Sequence, residues 1–156
     1  MIHIIGCGGV GAWLITLFPR LLAMLPENQR FSLWDGDRIE ARNLDRQLFA
    51  QRDVRQFKVA ALTRSLPQEM RDRVIVYPVY FDEDSASRIE NGDTVFMAVD
   101  NNAARIAVLV AVDKAGPGTC LIGMANEQYD ADAWFYTPAD VATERDPRVF
   151  MTRIFD

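Results

Sequence analysis

The chain has 156 residues with 17 basic and 22 acidic side chains, so its formal net charge is −5. Nearly half of it is hydrophobic (49%), a quarter is charged and the mean hydropathy is −0.06, which excludes a disordered, collagen-like or coiled-coil chain. About 69% of the unfolded surface of a chain this size is buried on folding, enough for a core without staples.

The acidic balance argues against a nucleic-acid partner, which normally meets a basic protein. The apolar runs are too short to span a membrane. The first residues already read as a strand, so no secretory signal is expected. Two cysteines, Cys7 and Cys120, cannot build a disulfide framework or a tetrahedral zinc site. A reducing, cytoplasmic setting follows as the simplest expectation.

In chain order, Met1–Ile5 is a short apolar run ending in glycine and reads as a buried strand. Val10–Leu25 has a helical period, and Pro19 predicts a kink or an early end near Phe18. Phe31–Trp34 is a second strand, stopped by Asp35-Gly36-Asp37. Asn43–Gln51 reads as a short helix and Phe57–Met70 as a longer one, with Val59, Leu62 and Leu66 on one side. Arg73–Val79 is a third strand that Pro78 assigns to an edge or a strand end. Asp84–Glu90 suits a helical turn, Asp93–Val99 a fourth strand and Asn102–Ala115 an apolar helix. Gly118–Met124 and Asp132–Tyr136 complete six strands. This alternation predicts an α/β, Rossmann-like three-layer fold, with a mostly parallel sheet flanked by helices. Residues 1–137 would form one domain, and 138–156 a tail without clear pattern.

The first strand–helix turn reads Gly6-Cys7-Gly8-Gly9-Val10-Gly11. In a dinucleotide-type loop Gly6 allows the tight turn, Gly8 admits a phosphate close to the backbone, and Gly11 lets the helix pack on the strand. Gly9 adds room at the apex. The helix N-terminus supplies free N–H groups to an anion. Asp35 follows the second strand, where an acid accepts both ribose hydroxyls. These features alone do not separate an NAD site from an ATP site.

The next segment does. Asn43, Arg46 and Gln47 are spaced i, i+3, i+4 and share a face if helical. A guanidinium just beyond the strand end suits a phosphate, and Lys58 brings a second cation. A diphosphate does not need two extra cations there. A triphosphate losing pyrophosphate does, because charge must be neutralised as the bond breaks. The fourth strand ends in Val99-Asp100-Asn101-Asn102. Asp100 is a candidate Mg²⁺ ligand or a helix cap, and Asn102 is the alternative cap.

With GCGGVG (6–11), DGDRIEARNLDRQLF (35–49), Lys58 within QFKVAAL and DTVFMAVDNNAAR (93–105) in this order, the chain resembles the ThiF/MoeB/HesA adenylating family, to which the ubiquitin-activating enzymes belong. The resemblance covers roughly the first two thirds of the sequence. It implies an ATP-binding, ThiF-type adenylyltransferase. Gly6, Gly8, Gly9 and Gly11 would form the phosphate loop, and Asp35, with Asp37 beside it, would hold the ribose end. Asn43, Arg46 and Lys58 would contact the phosphates with Gln47 in support. Asp100 would coordinate Mg²⁺. Arg46, Lys58 and Asp100 would carry the chemistry: a carboxylate attacks the α-phosphate, giving an acyl-adenylate and pyrophosphate. The implied partner is a ubiquitin-like protein or a peptide with a free C-terminal carboxylate. A homodimer or a second chain would supply missing elements. The alternatives are a non-catalytic nucleotide-binding or assembly module of the same fold, and an NAD(P)-binding oxidoreductase.

Several family features are absent. No paired CxxC motif occurs, so no zinc is expected. Cys120 falls inside a strand and reads as core, and Cys7 reads as a small filler with a low-pKa thiol as the alternative. Arg42 stands where relatives carry serine. His3 reads as a packed histidine, and Trp13, Trp34 and Trp134 as core or interface. Ile106–Val112 suits either a dimer face or burial. Arg145, Arg148 and Arg153 read as a solvated end, with a neighbouring subunit's nucleotide as the alternative. A minimal form, a fragment or a subunit needing another chain would account for these departures.

Overall fold

The computed structural model describes residues 1–21, 24–126 and 131–138. Six strands form one sheet: β1 (Ile2–Ile5), β2 (Phe31–Trp34), β3 (Val74–Tyr77), β4 (Thr94–Met97), β5 (Cys120–Asn126) and β6 (Ala131–Tyr136). Their spatial order is β3-β2-β1-β4-β5-β6. The first five are parallel, and β6 returns antiparallel to β5. The order reverses between β2–β1 and β4, which leaves a crevice at the carboxyl ends of β1 and β4.

Alternation along the strands divides the core between two faces. On one face Ile4, Phe31 and Leu33 pack with Ala12, Ile15 and Phe18 of α1 (Gly9–Leu21) and Val59 and Leu62 of α2 (Lys58–Ser65). On the other, Ile5, Trp34, Val95, Met97 and Leu121 meet Ala107, Val108, Ala111 and Val112 of α4 (Asn102–Ala115). The short α3 (Gln68–Arg71) inserts Met70 into the first cluster. Within α4, Ile106 and Val110 remain exposed while the residues between them are buried. No helix among the described residues is long and apolar enough to cross a membrane.

Three sequence expectations need correction. The helix read over Asn43–Gln51 is instead a 3₁₀ turn at Ala41–Asn43, followed by a second at Gln51–Asp53. Asn43 Oδ1 accepts the Glu40 N–H (2.9 Å) and Asp53 Oδ2 the Ala50 N–H (2.9 Å). Such side chains offer the backbone partners that compete with a continuing helix. The helix read over Phe57–Met70 is split by Pro67 into α2 and α3, although Val59, Leu62 and Leu66 are all buried as expected. Helix α1 runs past Phe18 and Pro19 to Leu21. Leu22 and Ala23 lie outside the described residues, as do 139–156 with Arg145, Arg148 and Arg153. Pro78 does follow an edge strand, β3.

His3 is buried on β1 and carries no catalytic access. Its Nε2–H donates to Asp93 Oδ2 (2.9 Å), and Nδ1 accepts the Ser32 hydroxyl (2.7 Å). Trp34 Nε1–H donates to that same Ser32 oxygen (2.8 Å). The connectivity is that of a serine–histidine–aspartate relay, but His3 and Ser32 are closed to solvent and every partner is used. Burial, outweighing Asp93, pushes the His3 pKa below its ordinary 6.5. The unfolded chain therefore binds that proton more readily, and stability falls as the pH drops through 6.5. Thermal unfolding from pH 7 to pH 5 should show this decline. In His3→Gln the protein should lose about 1–3 kcal/mol at pH 7 and show a flatter slope; an unchanged slope would place the titration elsewhere.

Candidate functional site

The glycine loop is shaped by two close approaches. Gly6 has φ +91°, and a Cβ there would lie 2.6 Å from the Ala98 carbonyl oxygen at the end of β4. A Cβ on Gly11 would lie 1.9 Å from the Gly6 carbonyl oxygen. These two glycines seat the loop against β4 and α1 against β1. Gly8 and Gly9 differ: a Cβ on Gly9 meets nothing within 4 Å, and one on Gly8 only the Gln47 amide nitrogen at 3.8 Å. Their backbone faces a cleft of about 1070 Å³ at the carboxyl end of the sheet.

Asp35 joins the two sides of this cleft. Its Oδ2 accepts the Cys7 N–H (2.8 Å) and its Oδ1 the Asp37 N–H (2.8 Å). Burial raises its pKa above the ordinary carboxylate value, against the Lys58 charge and the two backbone bonds. Beyond it, the chain is clamped to the start of α2. The Lys58 N–H donates to the Asp37 carbonyl (3.0 Å), Ile39 and Gln56 pair, and Arg38 bridges Phe57. This clamp brings the buried Lys58 ammonium to 2.6 Å from Asp37 Oδ2. Tyr80 donates its hydroxyl to Asp37 Oδ1 (2.6 Å). Burial pushes the Asp37 carboxyl up, but the Lys58 and Tyr80 hydrogen bonds prevail and hold it below its usual value.

Asn43 and Gln47 keep the i, i+4 relation through one turn, since the Gln47 N–H donates to the Asn43 carbonyl (2.9 Å). Both line the cleft, as does the exposed Arg46. Among the described residues nothing bonds the Arg46 guanidinium. Gln47 Oε1 is buried and, among the described residues, has no hydrogen-bond donor. Asp100 lines the opposite wall and is exposed. It does not cap α4; Asn101 does, accepting the Ala104 N–H (2.8 Å), so Asn102 is not the cap either.

Every residue singled out in the sequence for nucleotide contact therefore reaches this cleft, with Gly11 supporting it from behind. The cations differ in state: among the described residues, Lys58 is ion-paired and Arg46 is not. Arg38, Arg105 and Tyr80 also line it and were not singled out, since no motif spacing marks them. Arg42 is ion-paired with Glu40 (2.7 Å) at the surface. Cys7 is fully buried, and burial followed by the Asp35 charge pushes its thiol well above its usual value, so the low-pKa alternative fails. Cys120 is half-buried on β5, its thiol also raised by burial. Trp34 is core, Trp134 partly buried and Trp13 exposed.

The family model described as the ThiF family matches residues 1–144. The chain belongs to the ThiF family. No curated protein sequence matches it. Among solved structures, it is similar to E. coli tRNA N6-threonylcarbamoyladenosine dehydratase, TcdA, at 21% identity and a TM-score of 0.64, over 78% of this chain and 50% of that one. TcdA has also been solved in complex with AMP. E. coli MccB with succinimide superposes at 19% identity and 0.68 over 99% of this chain and 46% of that one. PaaA superposes at 21% and 0.65 over 90% and 42%. At these identities the likeness is one of fold. This ThiF-family chain spans half or less of the length of each of these proteins.

Among the described residues of this ThiF-family chain, no group of three or more His, Cys, Asp or Glu side chains is placed to hold a metal. A lone exposed carboxylate such as Asp100 fits Mg²⁺ only as nucleotides carry it, with one or two protein carboxylates, phosphate oxygens and water.

The two kinds of glycine separate folding from binding. Gly11→Ala should destabilise the chain by about 3 kcal/mol or more, because the methyl cannot avoid the Gly6 carbonyl. Gly9→Ala should leave the melting temperature near wild type, since its methyl meets nothing within 4 Å; if the loop receives phosphates, as its sequence pattern predicts, nucleoside-triphosphate affinity falls about tenfold or more. Unchanged affinity in a folded Gly9→Ala would remove the loop from the binding site.

Proposed function

We propose that the chain binds ATP in this cleft and adenylates a carboxylate carried by a protein or peptide. One observation carries the reading: the open Gly8–Gly9 backbone and an exposed Arg46 with no partner among the described residues line one cleft large enough for a nucleotide. Membership of the ThiF family and the AMP complex of TcdA, whose fold is similar, support it.

In this reading Asp35 takes the ribose hydroxyls on the lone pairs its backbone bonds leave free. The phosphates lie along the N-terminus of α1, where free N–H groups favour an anion. Arg46 meets them with its planar guanidinium, Asn43 offers its amide N–H₂ and Gln47 completes the wall. Lys58 turns from Asp37 to the phosphates when they arrive. Asp100 would hold Mg²⁺ against the phosphate oxygens, and the ion would offset their charge. No general base is needed, because a carboxylate is already ionised at neutral pH. A carboxylate oxygen bonds to the α-phosphorus as the bond from that phosphorus to the bridging oxygen breaks. The electron pair leaves with pyrophosphate, whose growing charge Arg46 and Lys58 stabilise.

The chain's acidity favours a protein or peptide over tRNA as the carboxylate carrier, and a ubiquitin-like C-terminus is the finer form of this reading. In this reading the described residues supply the nucleotide cleft, and a partner chain grips that carrier. The test is exchange of labelled pyrophosphate into ATP in the presence of carboxyl-terminal peptides and ubiquitin-like proteins. Exchange should appear with a fitting carboxylate. Arg46→Ala should weaken ATP binding about 10- to 100-fold without moving the melting temperature, since Arg46 is exposed and unpaired. ATP binding without exchange for any carboxylate would make the chain a non-catalytic nucleotide module. Binding of NAD in place of ATP would overturn the reading.

A further inference from the structure

Tyr80 is the large aromatic at the mouth of the cleft, and no motif accounts for it. Its side chain is 66% exposed, yet it is fixed at two points. The hydroxyl donates to Asp37 Oδ1 at 2.6 Å. One edge of the ring lies so close over Gly36 that a Cβ there would come within 2.9 Å of three ring carbons. The ring therefore occupies the place that a side chain at position 36 would fill. An exposed aromatic ring normally turns freely; holding one still with most of its surface in water costs side-chain entropy without a return in burial. A planar ligand laid on the free face would supply that return.

The surroundings say which ligand. Resting on the ATP reading above, the ribose sits at Asp35, whose two oxygens bond Cys7 N–H on one side and Asp37 N–H on the other. The glycine loop on the Cys7 side takes the phosphates. The base, on the far side of the sugar, then falls towards Gly36 and Asp37, where Tyr80 stands. We propose that Tyr80 is the platform on which the nucleotide base stacks, held in place by Gly36 and Asp37. The contact is sequence-remote: Tyr80 follows β3 and reaches back over the loop after β2.

The full chain, its Tyr80→Phe and its Tyr80→Ala variants are each titrated by calorimetry with ATP and with inorganic tripolyphosphate. Stacking on an aromatic ring predicts that Tyr80→Ala binds ATP about 10-fold or more weakly. Tripolyphosphate, which has no base, should bind wild type and Tyr80→Ala alike. Tyr80→Phe keeps the ring and should stay within about threefold of wild type for ATP. Because Tyr80 is exposed, both variants should melt with wild type, which thermal unfolding checks. Equal or tighter ATP binding by Tyr80→Ala would overturn the platform. So would an equal loss for tripolyphosphate, which would mean that Tyr80 acts through Asp37 and Lys58. A wild-type chain that binds neither ligand would bring down the nucleotide reading itself, an outcome distinct from failure of the variant alone.

Discussion

The carboxylate of Asp35 is the joint of this site. It lies at the second strand's exit and accepts from the loop after the first strand. By binding one backbone N–H on each side, it fixes the glycine loop relative to the segment that carries the cations. Its burial raises the cost of the charge, and the Lys58 ammonium and those two N–H groups offset that cost only in part, so its pKa stays above the ordinary value. The same clamp places Asp37, and Asp37 in turn holds Lys58 and Tyr80. Three polar contacts thus run from the glycine loop through Asp35 and Asp37 to Tyr80 at the mouth of the cleft, with Lys58 branching off Asp37.

The resting state of the cations follows from this chain. Lys58 is too buried to stand unpaired, and Asp37 neutralises it. Arg46, in water, bears no such constraint. In the proposed ATP complex the two cations would reach the nucleotide by different routes: one would exchange partners, the other only solvent. The first is sensitive to its carboxylate neighbour, the second to salt.

Much of the fold was legible because parallel strands buried on both faces write themselves as short apolar runs, as in Ile2–Ile5 and Thr94–Met97. Glycines 6 and 11 were legible for a related reason: contacts as close as theirs admit no other residue. The helical spacing over Asn43–Gln51 misleads because Asn43 and Asp53 cap their own turns, a competition that spacing cannot reveal. Pro67 divides what the apolar stripe joins, because a proline ends a helix more reliably than an apolar stripe extends one. The cleft residues Asn43, Arg46 and Gln47 were nonetheless found, since one turn suffices to bring them together. What spacing could not show was pairing across the fold. Lys58 with Asp37, and Tyr80 over Gly36, depend on how the loop after β2 meets the start of α2 and the end of β3.

The claim beneath all of this is that the side chains after β2 steady a chain of phosphates laid along the glycine loop. The most direct measurement is a crystal structure of the chain with a non-hydrolysable ATP analogue. The account predicts the ribose on Asp35, the phosphates between the Gly8–Gly9 backbone and Arg46, and Lys58 moved from Asp37 to a phosphate oxygen. An analogue bound with its phosphates away from Arg46 and Lys58, or outside this cleft altogether, would contradict it.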